Sequence, residues 1–406
     1  MLTTIEAEAI ILDLVSPFTA KQDTEVVSLQ TATGRILAEA IVSKADFPYW
    51  DNSAMDGYAV RYEDVRHCPV TLQVVGEIPA GVNPSFYIKP GQAARIFTGA
   101  MLPEGSNTIV MQEQTQREGD EVKILTAPQF QEFVRQRGAF YRAGMPLLEA
   151  GTLIGAAEIA AIATAQYIEL SVYRRPCVAI LSTGDELITP DRTLQPGQIV
   201  DSNQYALYSF IEAHGGLPIG LGIVPDNPEA LTRKISEAID SADIVLSTGG
   251  VSVGDYDYVD RILAELGGKI HVNSVAVKPG KPLTVATFNN SCLYFGIPGN
   301  PVSALVSCWR FVLPALKKLS GRKDDWQPKF IKAVTCDRLT AGGSRETYLW
   351  GKLTVIEGEY RFNPARGGHN SGNLVNLAGC NALAVLPIDC RQIAEGETVM
   401  IMPIDR

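Results

Sequence analysis

The 406-residue chain has no apolar run as long as the ~18 residues that a membrane-spanning helix requires. It has no C-x-x-C and no Cys/His cluster. Its 7 cysteines are scattered from Cys68 to Cys390, an odd number that argues against a disulfide framework, and their spacing argues against zinc. The 4 histidines are isolated and build no metal site by spacing. Basic residues are outnumbered, 35 Lys and Arg against 45 Asp and Glu, and no basic stripe is visible, so nucleic acid is not an expected partner. No G-x-G-x-x-G opens a helix after a strand, which ranks a generic dinucleotide-binding enzyme low. No Ser-His-Asp or Cys-His arrangement is apparent. The opening stretch "MLTTIEAEAIILDLV" carries acids, lacks an early Lys or Arg and patterns as an amphipathic helix. It does not read as a secretory signal, and the expected location is the cytoplasm.

What is present is ordinary globular composition, 46% hydrophobic and 20% charged, over a length that suggests two to four domains. Four regions are expected. The first is discontinuous, residues 1–44 and 145–175, with an N-terminal helix, the extended runs "EVVSLQ" and "RILAEAIVS", and the alanine-rich helix "GAAEIAAIATAQY". Residues 45–144 read as β-rich with long Gly/Pro loops. In residues 176–322 short apolar strands alternate with helical patterns, the signature of a parallel sheet covered by helices. Residues 323–406 return to β patterning, as a small barrel or sandwich.

Ligands of an open parallel sheet bind beyond the carboxyl ends of its strands. Three loops leave such ends. "LSTGDELITP" carries Thr183, Gly184, Asp185 and Glu186. "DIVLSTGGVSVGDYDYVD" carries Thr248, Gly249, Gly250, Ser252, Asp255 and Asp257. "GIPGNPVS" offers Pro298 and Gly299 for a tight turn, Asn300 as an N-cap, Pro301 in the first helical turn, and Ser303. Asp226, in "IVPDNPE", adds an acid at another strand end. Acids often cap helices, so each is bland alone. Together, acids along one sheet edge repel unless a cation joins them, and oxygen donors of this kind suit Mg²⁺ shared with a substrate phosphate. The turn "VKPGKP" places Lys278 and Lys281 where they could meet oxyanions.

These motifs, with "PGQIVDSN", "DNSAMDGYAV", "IFTGAMLPEG", "SRETYLWGKL" and "SGNL" in the same order, resemble the molybdopterin molybdenumtransferases, which include the E-domain of gephyrin. The resemblance implies a multidomain α/β plus β fold. It would comprise a molybdopterin-binding-type parallel α/β sheet domain, a β-rich irregular domain, a discontinuous helical linker domain and a C-terminal small β-barrel. It implies insertion of molybdate, a co-substrate, into adenylylated molybdopterin with release of AMP and the help of Mg²⁺. The implied assembly is a homodimer, with the adenylyltransferase of the same pathway as a further partner. Motif by motif, Glu186, Asp226, Asp255 and Asp257 would serve the nucleotide and metal site. Thr183, Gly184, Asp185, Gly249, Gly250 and Ser252 would line the pterin phosphate or nucleotide. Lys278, Lys281, Pro298, Gly299, Asn300 and Ser303 would hold molybdate or the pterin terminus. Asp56 and Thr98 would reach in from the partner subunit, and Arg345 and Ser371 would form an oxyanion site.

One departure stands out. The family often has "RGED" after an Arg, but here the run is "VRQRGAFYRAG". Arg135, Arg137 and Gly138 remain, while Ala139 and Phe140 replace the acids. Two rival readings are an adenylyltransferase, which would not need the second and fourth regions, and a non-catalytic scaffold, which would leave the acids and lysines unexplained.

Overall fold

The computed structural model describes residues 1–249 and 257–404; for Asp257 and Tyr258 it describes the backbone alone. The chain forms two compact units: Met1–Glu39, Ala150–Gly155 and Glu169–Arg406 in one, Ala40–Glu149 and Ala156–Ile168 in the other.

In the larger unit a six-stranded sheet contains β1 (Cys177–Thr183), β2 (Leu217–Val224), β3 (Ile244–Thr248), β4 (Lys269–Ser274), β5 (Pro282–Thr287) and β6 (Leu293–Ile297), in the order β2-β1-β3-β6-β5-β4. Its faces follow from the period-2 alternation of strand side chains. Val178, Ile180, Ile244 and Leu246 join one apolar cluster, whereas Ala179, Leu181 and Val245 join the other. The first cluster is covered by α1 (Thr4–Leu14), α2 (Asn203–Ala213) and α5 (Pro301–Ser307), the second by α3 (Pro228–Ser241) and α4 (Asp257–Glu265). Both faces are therefore buried, and the central strands are apolar almost throughout. α1 starts on a capping box in which Thr3 and Glu6 satisfy each other's backbone N–H groups.

The parallel pattern holds for β2, β1, β3 and β6, but β5 runs antiparallel to both its neighbours. The reason is local. Only the short link 288–292 joins β5 to β6, with Ser291 at φ 66° and Asn290 accepting from the Cys292 N–H. A link that short can only make a hairpin. The long helical run after Pro301 also differs from a plain α-helix. Its middle, Cys308–Val312, is π-helical before α6 (Leu313–Leu319). Pro314 lacks the N–H that an α-helix would donate to the residue four back.

The C-terminal strands β7 (Ile331–Thr335), β8 (Glu346–Ile356), β9 (Glu359–Pro364), β10 (Ala382–Leu386) and β11 (Thr398–Pro403) close on themselves as β8-β9-β7-β11-β10-β8, a five-stranded barrel with no open edge between first and last strand. The start of β8 also pairs in parallel with Val277–Lys278. One apolar cluster runs from Ile11 and Val302 to Tyr348, Trp350, Leu383 and Met402, so barrel and sheet share a core. Each large side chain fully buried there contributes about 1.5–3 kcal/mol. Inside it Arg310, 2% exposed, pairs with Glu8 and donates from Nε to the Tyr348 hydroxyl at 3.0 Å. That hydroxyl in turn donates to Glu346 at 2.6 Å.

The smaller unit holds a second six-stranded sheet, built from Gly57–Val60, Val70–Ile78, Gln92–Ile96, Thr108–Met111, Thr115–Glu118 and Glu121–Ile124. A Cβ at residue 57 would lie 2.0 Å from the Val110 carbonyl oxygen, so only glycine lets these strands meet. The extended runs near the N-terminus do not pair with each other. Thr24–Ser28 pairs with Glu169–Tyr173 in the larger unit, and Ile41–Val42 with Pro146–Leu148 in the smaller.

Candidate functional site

A groove of about 1700 Å³ opens in the larger unit where the strand ends of the sheet meet the barrel. Thr183, at the end of β1, lines it with Gly249 from the turn after β3. Gly249 has φ 84°, and a Cβ there would lie 2.2 Å from the Thr183 carbonyl oxygen. No other residue allows the two strand ends to approach so closely. Among the described residues the buried Thr183 hydroxyl finds no hydrogen-bond partner of ordinary geometry.

Glu186 and Asp226 also line the groove. Asp185, beside them, accepts the Asp226 N–H at 3.1 Å. Burial first, and then the negative charge of Asp185 and Glu186, push the Asp226 carboxyl above its ordinary range. None of these three acids has an ion pair among the described residues. Among those residues no group of three His, Cys, Asp or Glu side chains is arranged to hold a metal ion by itself. The donor set still fits a hard cation that takes part of its coordination from a substrate, because crowded carboxylate oxygens are relieved by such an ion.

The basic part of the groove is built differently. Lys278 and Lys281, both exposed, flank the turn that pairs with β8. Arg345, just before β8, donates to the Val277 carbonyl at 3.2 Å and lines the same groove. The turn at Pro298, Gly299 and Asn300 lies there too, with Ser303 and Ser371. Asn300 occupies the N-cap position of α5, but its side chain makes no capping bond, contrary to the sequence expectation. The Val302 N–H instead donates to the Ser371 carbonyl at 3.2 Å, which docks a barrel loop on the start of α5.

Other expected residues stand apart. Gly184 does not line the groove; its neighbour Glu186 curls over it. Asp56, Thr98 and Arg135 belong to the smaller unit. There Asp56 accepts both the N–H and the hydroxyl of Thr98, each at 2.7 Å. Those bonds hold its carboxyl below the usual range. Arg135 sits on Val134–Arg135, paired with Asn52–Ser53. Phe140 is exposed against Phe47, with ring centroids 5.7 Å apart. Gly250, Ser252 and Asp255, and the Asp257 side chain, lie outside the described residues. Some groove residues had no expected role. Asp201 and Asn203 both come from "PGQIVDSN", and Asn203 donates to the Gly299 carbonyl at 2.8 Å. Their order in that motif was the only available signal.

Three family models cover nearly all of the chain: "MoeA N-terminal region (domain I and II)" at residues 2–165, "Probable molybdopterin binding domain" at 179–318, and "MoeA C-terminal region (domain IV)" at 332–404. A molybdopterin molybdenumtransferase from Nostoc sp. is 57% identical over 97% of this chain and 92% of that relative. The chain belongs to the molybdopterin molybdenumtransferase family. A member from Haemophilus influenzae is 35% identical over 100% of this chain and 99% of its own length. The solved molybdopterin biosynthesis MoeA protein of Pyrococcus horikoshii matches over 100% of both chains with a TM-score of 0.81 and 30% identity. The second of these models covers the sheet and the third covers the barrel.

Proposed function

We propose that this protein is a molybdopterin molybdotransferase of molybdenum cofactor biosynthesis. It takes adenylylated molybdopterin and molybdate and yields AMP and molybdenum-molybdopterin. The observation that carries this reading is the groove itself, which offers crowded acids at strand ends and lysines with an arginine at the barrel. A pyrophosphate needs its charge neutralised, and molybdate needs cationic donors; one groove supplies both.

Glu186, Asp226 and the acids of the Asp255–Asp257 stretch would hold Mg²⁺. Bound there, Mg²⁺ supplies positive charge against the phosphoanhydride. The Gly249 turn lets backbone approach the phosphate, and the Pro298–Ser303 turn carries the pterin end. Lys278 and Lys281, with Arg345 and Ser371, hold molybdate as an oxyanion. Displacement of AMP then rests on positioning and electrostatics, so no general base is assigned. We further propose a homodimer in the cytoplasm, with Asp56 and Thr98 completing the partner's site.

The test is AMP release from adenylylated molybdopterin by the purified protein, with and without molybdate and Mg²⁺. Release that requires both supports the reading. Synthesis of adenylylated molybdopterin from molybdopterin and ATP instead would make it an adenylyltransferase, and neither reaction would leave a scaffold. Sedimentation tests the dimer: an active monomer at micromolar concentration sinks that part.

A further inference from the structure

The barrel side of the groove carries a stretch that the reaction above leaves unused, Arg366 to His369. All four residues line the groove, and Arg366, Gly367 and Gly368 are exposed. Gly367 and Gly368 have φ 89° and 81°, a left-handed backbone that glycine adopts without strain. One side chain holds this backbone. Asn376 donates from Nδ2 to the Arg366 carbonyl at 3.1 Å and to the Gly368 carbonyl at 2.7 Å, while its Oδ1 accepts the Trp350 Nε1–H at 2.8 Å.

In a planar trans peptide the C=O and the next residue's N–H point opposite ways. Both carbonyls face Asn376, which does not line the groove. The N–H groups of Gly367 and His369 are therefore turned away from Asn376, to the side that the groove occupies. Among the described residues neither N–H has an acceptor, and the Arg366 guanidinium has no hydrogen bond or ion pair. The clamp thus takes two carbonyl oxygens, which would repel an anion, off the groove face. It leaves two N–H groups and a guanidinium there. In a chain richer in acids than bases, no Asp or Glu occurs between Glu359 and Asp389.

We infer that Arg366 and the N–H groups of Gly367 and His369 form a second oxyanion site in the groove, separate from the lysine turn. This goes beyond the reading above, which gives its oxyanion to Lys278, Lys281, Arg345 and Ser371. Ser371 is anchored elsewhere, because its carbonyl accepts the Val302 N–H and so follows α5. Two N–H donors on one face beside a guanidinium fit a tetrahedral dianion, whose several oxygens each take a donor. A cation is repelled there, and a neutral ring has no use for the guanidinium. Two groups in the proposed reaction have the right chemistry: free molybdate and the phosphoryl group of the pterin substrate.

The experiment titrates the full-length protein with molybdate and, separately, with inorganic phosphate at fixed ionic strength, read by calorimetry with no pterin present. The wild type is expected to take two oxyanions per chain. Arg366→Ala should weaken one of them by roughly 10- to 100-fold, the range for charge-assisted hydrogen bonds, and leave the other within about twofold. The unfolding midpoint should not move, since the side chain has no partner to lose. Arg366→Lys keeps the charge without the fork and should recover part of the loss. Lys281→Ala should spare the Arg366-dependent step. With glycine-selective ¹⁵N labelling, the Gly367 amide, identified by its loss in Gly367→Ala, should shift during the wild-type titration and stand still in Arg366→Ala. Tighter molybdate at this step assigns the site to the metal oxyanion, and tighter phosphate assigns it to the phosphoryl group. A single oxyanion per chain, a second one indifferent to Arg366→Ala, or a motionless Gly367 amide overturns the inference. An Arg366-dependent site in a protein that releases no AMP keeps the inference and sinks the transferase reading alone.

Discussion

The larger unit uses acids in two ways, and the contrast separates architecture from chemistry. Asp243 takes two bonds from Arg174, both at 2.7 Å, and a third from the Cys177 N–H. Glu8 is paired with the buried Arg310. Asp185, Glu186 and Asp226 instead crowd one another at strand ends and have no cation of their own among the described residues. The first set is satisfied by the fold. The second is exposed and left to solvent, free to meet a cation that the fold does not supply. The bases there mirror this: Lys278 and Lys281 are exposed and have no ion pair among the described residues, while Arg174 and Arg310 are consumed internally.

The largest expected effect breaks the architectural side. Arg310→Ala leaves Glu8 and the Tyr348 hydroxyl without their cation and should cost about 3–5 kcal/mol, read by urea unfolding. A loss below about 1 kcal/mol would show that Glu8 is relieved by water. Next, Lys281→Ala should leave the unfolding midpoint unchanged and raise the molybdate concentration needed for AMP release roughly tenfold or more. An unchanged molybdate requirement would make Lys281 a surface turn residue.

Asp226→Asn sharpens the contrast, because removing a functional charge should stabilise the protein slightly. The gain without added cation should be under about 1 kcal/mol, since the site is open to solvent. AMP release should fall. The pH dependence has a definite sign. The folded protein holds the Asp226 proton to higher pH than the unfolded chain does, so its contribution to stability is present below the ordinary aspartate pKa and is lost as pH rises through the raised value. Asp226→Asn should flatten that part of the stability profile, and an unaltered profile would show that the Asp226 carboxyl is not raised. The smallest effect belongs to Phe140→Asp. Its ring is 57% exposed, so turnover should stay near wild type and stability should change by less than about 1 kcal/mol. A clear rise in turnover would mean that the departure from "RGED" costs activity.

The apolar runs, the STG turns and the alternation of strand and helix were legible because burial leaves a local pattern. The reversed β5 was less so, since the short link that forces it resembles any other turn. Barrel closure depends on pairing β8 with β10 across about thirty residues, which no local pattern records. Asn300 looked like a cap by type, but a distant loop supplies the competing bond at Val302. The free N–H groups of Gly367 and His369 were invisible because a donor turned away from its neighbours exists only once the chain has folded.

The short ladder between Val277–Lys278 and the start of β8, with the core it seals, gives the barrel a second attachment besides the covalent one. A protease nick in the stretch 322–328 should therefore leave two polypeptides that elute together. Heating should melt the sheet and the barrel in one calorimetric transition, although separate family models describe them. The barrel behaves as a wall of the same room rather than as an annexe on a tether.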